Sequence, residues 1–71
     1  MPNVTIDTLV GKTPEQKQQL VDDLMVAFEA IGVRRQSVTV VFHDIAFDNF
    51  FLGNENMNAY QARRRAEEGG S

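Results

Sequence analysis

Seventy-one residues make one domain, and a chain this short buries too little surface to rest securely on its own core. With no cysteine and a single histidine, neither disulfides nor a cysteine or clustered-histidine metal site can supplement that core, and the composition fits a reducing, cytoplasmic setting. Ten acids against seven bases give a net charge of −3, which argues against nucleic acid as a partner.

No basic, apolar secretory leader is read at the start, and no apolar run is long enough to cross a bilayer. Yet 42% of the residues are hydrophobic, so association with further copies is the expected way to bury the surplus. The domain is read as spanning 1–71, with 58–71 a tail that is partly helical or disordered.

In chain order, "MPNVTIDT" comes first. Val4 and Ile6 fall on one face and Asn3, Thr5 and Asp7 on the other, the period of a half-buried strand. Pro2 has two readings. It supplies no N–H to a sheet and so fits the first position of a strand. It is also a secondary amine that can carry protons if Met1 is removed. Gly11 then permits a turn.

"TPEQ" starts a helix, with Thr13 as N-cap, Pro14 at the first helical position and Gln16 completing a capping box. Leu20, Leu24, Ala27, Phe28 and Ile31 recur every three or four residues, with Val21 and Met25 widening the stripe. Lys17, Gln18, Gln19, Asp22, Asp23 and Glu29 are assigned to the wet side, and Gly32 ends the helix. Asp22 and Asp23 are neighbours on a helix, so they diverge and form no catalytic pair.

"SVTVVFHD" reads as a second strand. Strand, helix and strand make a βαβ unit, with parallel strands and a right-handed crossover. "DIAFDNFFLGNEN" reads as a short hairpin or loop, and Phe47, Phe50 and Phe51 must pack on this chain, a neighbour or a ligand. One or two helical turns are expected around Ala59 to Ala66, followed by a flexible "GGS".

"MP" before an alternating strand, "GKTPEQKQQLVDDLMVAFEAIGV", "SVTVVFHDI" and "NFFLGN" together resemble the 4-oxalocrotonate tautomerase family. The resemblance runs from Met1 to Asn54 and is most specific at "GKTPEQKQQL", close to the family's "GR(S/T)xEQKxxL". It implies an α/β fold: a βαβ protomer with a short C-terminal hairpin, paired into dimers with a four-stranded sheet and assembled as a homohexamer. It also implies a tautomerase or isomerase acting on a small unsaturated or 2-keto carboxylic acid, with no metal or organic cofactor.

The N-terminal proline is the family's catalytic group, here Pro2 once Met1 is gone. An α-amino group titrates near ~7.7–8.0. Desolvation and a nearby cation lower that value, which suits a general base at neutral pH. A retained Met1 would turn the amine into an amide. Lys12 and Thr39 stand where the family places arginines, and Phe50 stands where it places an aromatic over the active site. Lysine keeps the charge without the bidentate fork, and threonine carries none. Arg34 and Arg35 are candidates for a displaced cation, across a subunit boundary if need be.

Each candidate keeps a plainer alternative. Lys12 is a carboxylate anchor or an ordinary loop charge; Arg34 and Arg35 are substrate contacts or a solvated turn beside a helix end. Phe50 is a pocket wall or packing, and His43 is read as a strand-end residue at a subunit interface. Two other functions stay open. A protonated Pro2 could act as a general acid in hydration, dehalogenation or decarboxylation of a small acid. The chain could instead be a non-catalytic self-assembling module.

Overall fold

A computed structural model of the chain describes residues 1–69. Strand β1 (Asn3–Leu9), helix α1 (Pro14–Ala30) and strand β2 (Thr39–Ile45) form the βαβ unit. A 3₁₀ turn at Arg35–Ser37 leads into β2. A second 3₁₀ turn, Phe47–Asn49, leads to a hairpin of β3 (Phe51–Leu52) and β4 (Glu55–Asn56), and helix α2 (Met57–Gly69) follows.

The two long strands run parallel, with Asn3 opposite Thr39, Ile6 opposite Phe42 and Leu9 opposite Ile45. Alternation sorts their side chains. Val4, Ile6 and Thr8 line up with Val40, Phe42 and Asp44 on the face that α1 covers, where Lys17 of α1 reaches the Phe42 ring and Asp44. On the bare face stand the pairs Asn3–Thr39, Thr5–Val41 and Asp7–His43.

The ends of α1 are set locally. The Gln16 N–H donates to the Thr13 hydroxyl at 3.1 Å, and the Thr13 N–H donates to the Gln16 side chain at 2.9 Å. At the other end the Val33 N–H returns to the Phe28 carbonyl and the Gly32 N–H to that of Glu29, both at 3.0 Å. This Schellman closure needs a positive φ, and Gly32 supplies it at +88°.

The expected core stripe of α1 is not sealed within one chain. Val21, Leu24, Met25 and Phe28 are only half-buried, and Leu20 is 42% exposed. Among the described residues the one buried apolar residue is Met57, at 4%, and it opens α2 rather than lying between α1 and the sheet.

That segment departs most from expectation. In place of one or two turns, α2 runs for 13 residues. Pairs of Arg63 with Glu67 and Arg64 with Glu68 brace it at helical spacing, and Arg63 also reaches Glu55 of β4. Of the "GGS" ending, Gly69 closes α2, while Gly70 and Ser71 lie outside the described residues.

Hairpin and α2 pack on each other and on the Phe47–Asn49 turn, where Asn58 bonds the Asp48 carboxylate and Met57 N–H donates to the Phe50 carbonyl. They form an arm rather than a second layer over the sheet. The radius of gyration is 16.7 Å, against about 11 Å for a compact chain of this length.

Candidate active site

The sheet has two chemically different ends. At the start of β1, Pro2 stands just outside the ladder, so its missing N–H costs no strand bond. Its carbonyl accepts from the Thr39 N–H at 3.0 Å, which fixes the residue against the start of β2. Pro2 is half-buried, whereas Met1 is 86% exposed. The Thr39 hydroxyl donates to the Asn3 side chain at 2.5 Å.

Arg34 and Arg35 belong to the link entering the same end. Arg35 is committed: its guanidinium forks onto Glu29 at 2.9 and 2.7 Å and holds that carboxyl below its usual range. The Arg34 side chain has no partner among the described residues, while its carbonyl accepts from the Ser37 N–H and hydroxyl.

At the opposite end, where the strands finish and α1 begins, lies an open cavity of about 270 Å³. Its walls are Ile6, Leu20 and Phe42, with Thr8, Gln16, Lys12 and Lys17 around them. Lys17 is doubly engaged, 2.5 Å from the Asp44 carboxylate and 5.5 Å from the centre of the Phe42 ring. Lys12 has no partner among the described residues.

By strand alternation Pro2, Val4, Ile6 and Thr8 share the helix-side face, so proline and cavity lie on one side of the sheet. Along the strand Pro2 is roughly 13 Å from Ile6 at the near wall and roughly 20 Å from Thr8 at the far one, four and six residues at about 3.3 Å each. Pro2, Thr39, Arg34 and Arg35 therefore group at one end and Lys12 at the other. Phe50 lies beyond the end of β2, half-buried at the base of the arm, where its carbonyl accepts from Met57. His43 pairs with Asp7 at 2.8 Å on the bare sheet face, away from the cavity.

Lys17 in the cavity wall and its partner Asp44 escaped the sequence reading. Lys17 was assigned to the wet side, but positions 17, 20, 24 and 28 share a helical face, so a lysine in register with the apolar stripe was a usable signal. Asp44 had none. It meets Lys17 across 27 residues, a contact that only the folded βαβ unit brings about.

Among the described residues no group of three or more His, Cys, Asp or Glu side chains is arranged to hold a metal ion. None of the described helices is long and apolar enough to cross a membrane.

A family model for tautomerase enzymes matches residues 2–60. Among solved structures, a 4-oxalocrotonate tautomerase isozyme from Methylibium petroleiphilum is similar with a TM-score of 0.79 and 24% identity, over 87% of this chain and 98% of its own. YwhB, a homologue of 4-oxalocrotonate tautomerase, gives 0.72 and 28%, over 80% and 95%. A heterohexameric 4-oxalocrotonate tautomerase from Chloroflexus aurantiacus J-10-fl gives 0.72 and 25%, over 82% and 95%. No curated protein sequence matches the chain.

Proposed function

The chain belongs to the tautomerase family, and on that premise we propose that it is an isomerase that moves a proton on a small unsaturated or 2-keto carboxylic acid. Pro2 is the general base, freed by removal of the exposed Met1. One observation carries this reading: proline and cation-bearing cavity share a sheet face but stand at opposite ends of β1.

The two-stranded sheet leaves one edge of β1 unpaired. A two-fold axis normal to the sheet sets β1 antiparallel to β1 of a second copy and keeps both helices on one side. The same operation carries Pro2 of each copy to the cavity of the other. A dimer then holds two composite sites, each with an amine from one chain and Lys12 from its neighbour. The exposed Val10, Val41, Phe51 and Leu52 favour further association, and we take three such dimers in a homohexamer as the assembly. The heterohexameric relative from Chloroflexus aurantiacus J-10-fl supports the number six, though not the identity of the chains.

In such a site the Pro2 nitrogen is shielded from water and faces Lys12. Both influences disfavour its protonated form and bring the amine toward neutrality. It removes a proton from the enol hydroxyl or from the carbon beside the carbonyl, then returns it elsewhere on the conjugated system. Lys12 holds the carboxylate and stabilises the enolate as charge develops. Arg34, exposed and with no side-chain partner among the described residues, stays in the solvated turn beside the helix end, and Phe50 forms an apolar wall brought in by the arm of a neighbour. No cofactor takes part.

The test is kinetic. Intact mass should show loss of Met1, and kcat/KM for ketonisation of phenylenolpyruvate should rise with pH through one near-neutral pKa. Activity that instead falls on deprotonation makes Pro2 an acid, and a Pro2→Ala variant as active as wild type ends the catalytic role of the proline.

A further inference from the structure

We infer that the cavity selects a monocarboxylate with an apolar remainder over a dicarboxylate, and that Asp44 sets this preference by pinning Lys17. The inference rests on the reading of the cavity as the substrate site. It extends that reading to the class of acid the site takes.

Two lysines line the cavity, yet they are not equivalent. Lys17 has its charge spent on Asp44 at 2.5 Å and its ammonium over the Phe42 ring, so among the described residues lining the cavity Lys12 is the cation left open to a ligand. The remaining walls, Ile6, Leu20 and Phe42, offer a carboxylate no donor. Thr8 and Gln16 are polar but uncharged: each can offer a carboxylate a hydrogen bond, and neither supplies a counter-charge.

A second carboxylate must therefore stay in water or be desolvated against hydrocarbon without a counter-charge, which is costly. A phenyl or branched alkyl group gains from the same surface. At about 270 Å³ the cavity is small, below the ~300–1,000 Å³ of sites for drug-sized ligands.

Asp44 sits opposite Thr8 in the strand register, so β2 holds the carboxylate at the cavity rim independently of the α1 side chain it restrains. Replacing it by asparagine keeps shape and hydrogen bonding but removes the charge. Lys17 is then released as a second anchor at the far side from Lys12.

The experiment uses full-length protein and two unreactive probes, 3-phenylpropionate and adipate, titrated by calorimetry with amide NMR to locate the contact. In wild type, 3-phenylpropionate should bind about tenfold more tightly than adipate, a 1.4 kcal/mol preference. The amides of Thr8, Lys12 and Leu20 should shift. Asp44→Asn should bring the ratio of affinities to near one, and adding Lys17→Met to it should restore the wild-type ratio.

Adipate binding as tightly as 3-phenylpropionate in wild type, an unchanged ratio in Asp44→Asn, or shifts confined to other residues each overturn the inference. Turnover is read separately. Protein that binds 3-phenylpropionate with the expected ratio but does not ketonise phenylenolpyruvate leaves the ligand class standing and removes the tautomerase reading.

Discussion

The two ends of the parallel sheet are built from the same two strands and, under the proposed function, carry opposite halves of a site. The starting end offers an amine in waiting, a threonine hydroxyl turned to its own neighbour and an arginine already forked onto Glu29, with no cavity. The finishing end offers a cavity, a lysine with no partner among the described residues and apolar walls, and the Asp44 carboxylate there is taken up by Lys17. Each half is incomplete, and the stiffness of a seven-residue strand prevents one chain from joining them. A chain too small to seal its own core has divided its chemistry in the same way as its packing, and under the proposed function a second copy completes both.

Subunit mixing breaks that comparison most directly. Pro2→Ala alone should lose about 10²–10⁴-fold in kcat/KM, the usual worth of a positioned acid–base group. Lys12→Ala also removes every complete site. Unfolded together and refolded at equal ratio, half the dimers pair one variant with the other, and each of those holds one intact site. Recovery to roughly a quarter of wild-type activity is expected from random pairing. A mixture no more active than its parents places Pro2 and Lys12 in one chain's site and removes the division.

Lys12→Ala on its own tests the finishing end. A hydrogen bond to a charged group contributes about 1.5–3 kcal/mol, so kcat/KM should fall roughly 10–100-fold. Lys12→Arg should recover most of it, because the charge returns with a fork suited to a carboxylate. Loss mainly through KM would mark Lys12 as a carboxylate anchor; loss mainly through kcat would give it the enolate.

What the sequence could reveal follows from how far each interaction reaches along the chain. Thr13, Pro14 and Gln16 announce the start of α1 because a capping box closes within four residues, and Gly32 marks its end for the same reason. The alternation of Val4 and Ile6 gives β1 and its buried face. The length of α2 was harder to see, since its bracing combines local Arg63–Glu67 and Arg64–Glu68 pairs with a reach back to Glu55 in the hairpin. Lys17–Asp44 and Arg35–Glu29 were beyond reach. Which of several lysines or arginines finds a counter-ion depends on tertiary placement, and that placement decides which cation a substrate can use.

Thr13→Ala is a smaller perturbation with a positional consequence. Loss of the cap should cost about 1 kcal/mol of stability. The first turn of α1 also carries Gln16 and Lys17 to the cavity, so fraying there should loosen the finishing end and leave Pro2 and Thr39 untouched. A lower Tm with a raised KM and an unchanged pKa in the pH–rate profile is the expected pattern. An equal change at both ends, seen as a shift in that pKa, would mean that they are not independent.

The smallest effect should come from Arg35→Ala, and its sign is fixed by Glu29. Arg35 stabilises the ionised carboxylate first by hydrogen bonding and then by charge, so the folded-state pKa lies below the unfolded one. Such a group adds stability above the unfolded pKa, near ~4.3 for a glutamate, and loses it as pH falls through the folded value. The wild type should therefore be slightly more stable than Arg35→Ala at neutral pH, and the difference should vanish in acid. Both side chains are exposed, so solvent screening keeps the gap small. Activity gives the sharper reading. An arginine held by Glu29 is a strut of the helix-to-strand link, and its removal should leave kcat/KM on phenylenolpyruvate close to wild type. A tenfold loss would mean that Arg35 leaves Glu29 to meet the substrate, and that the starting end supplies a cation as well as an amine.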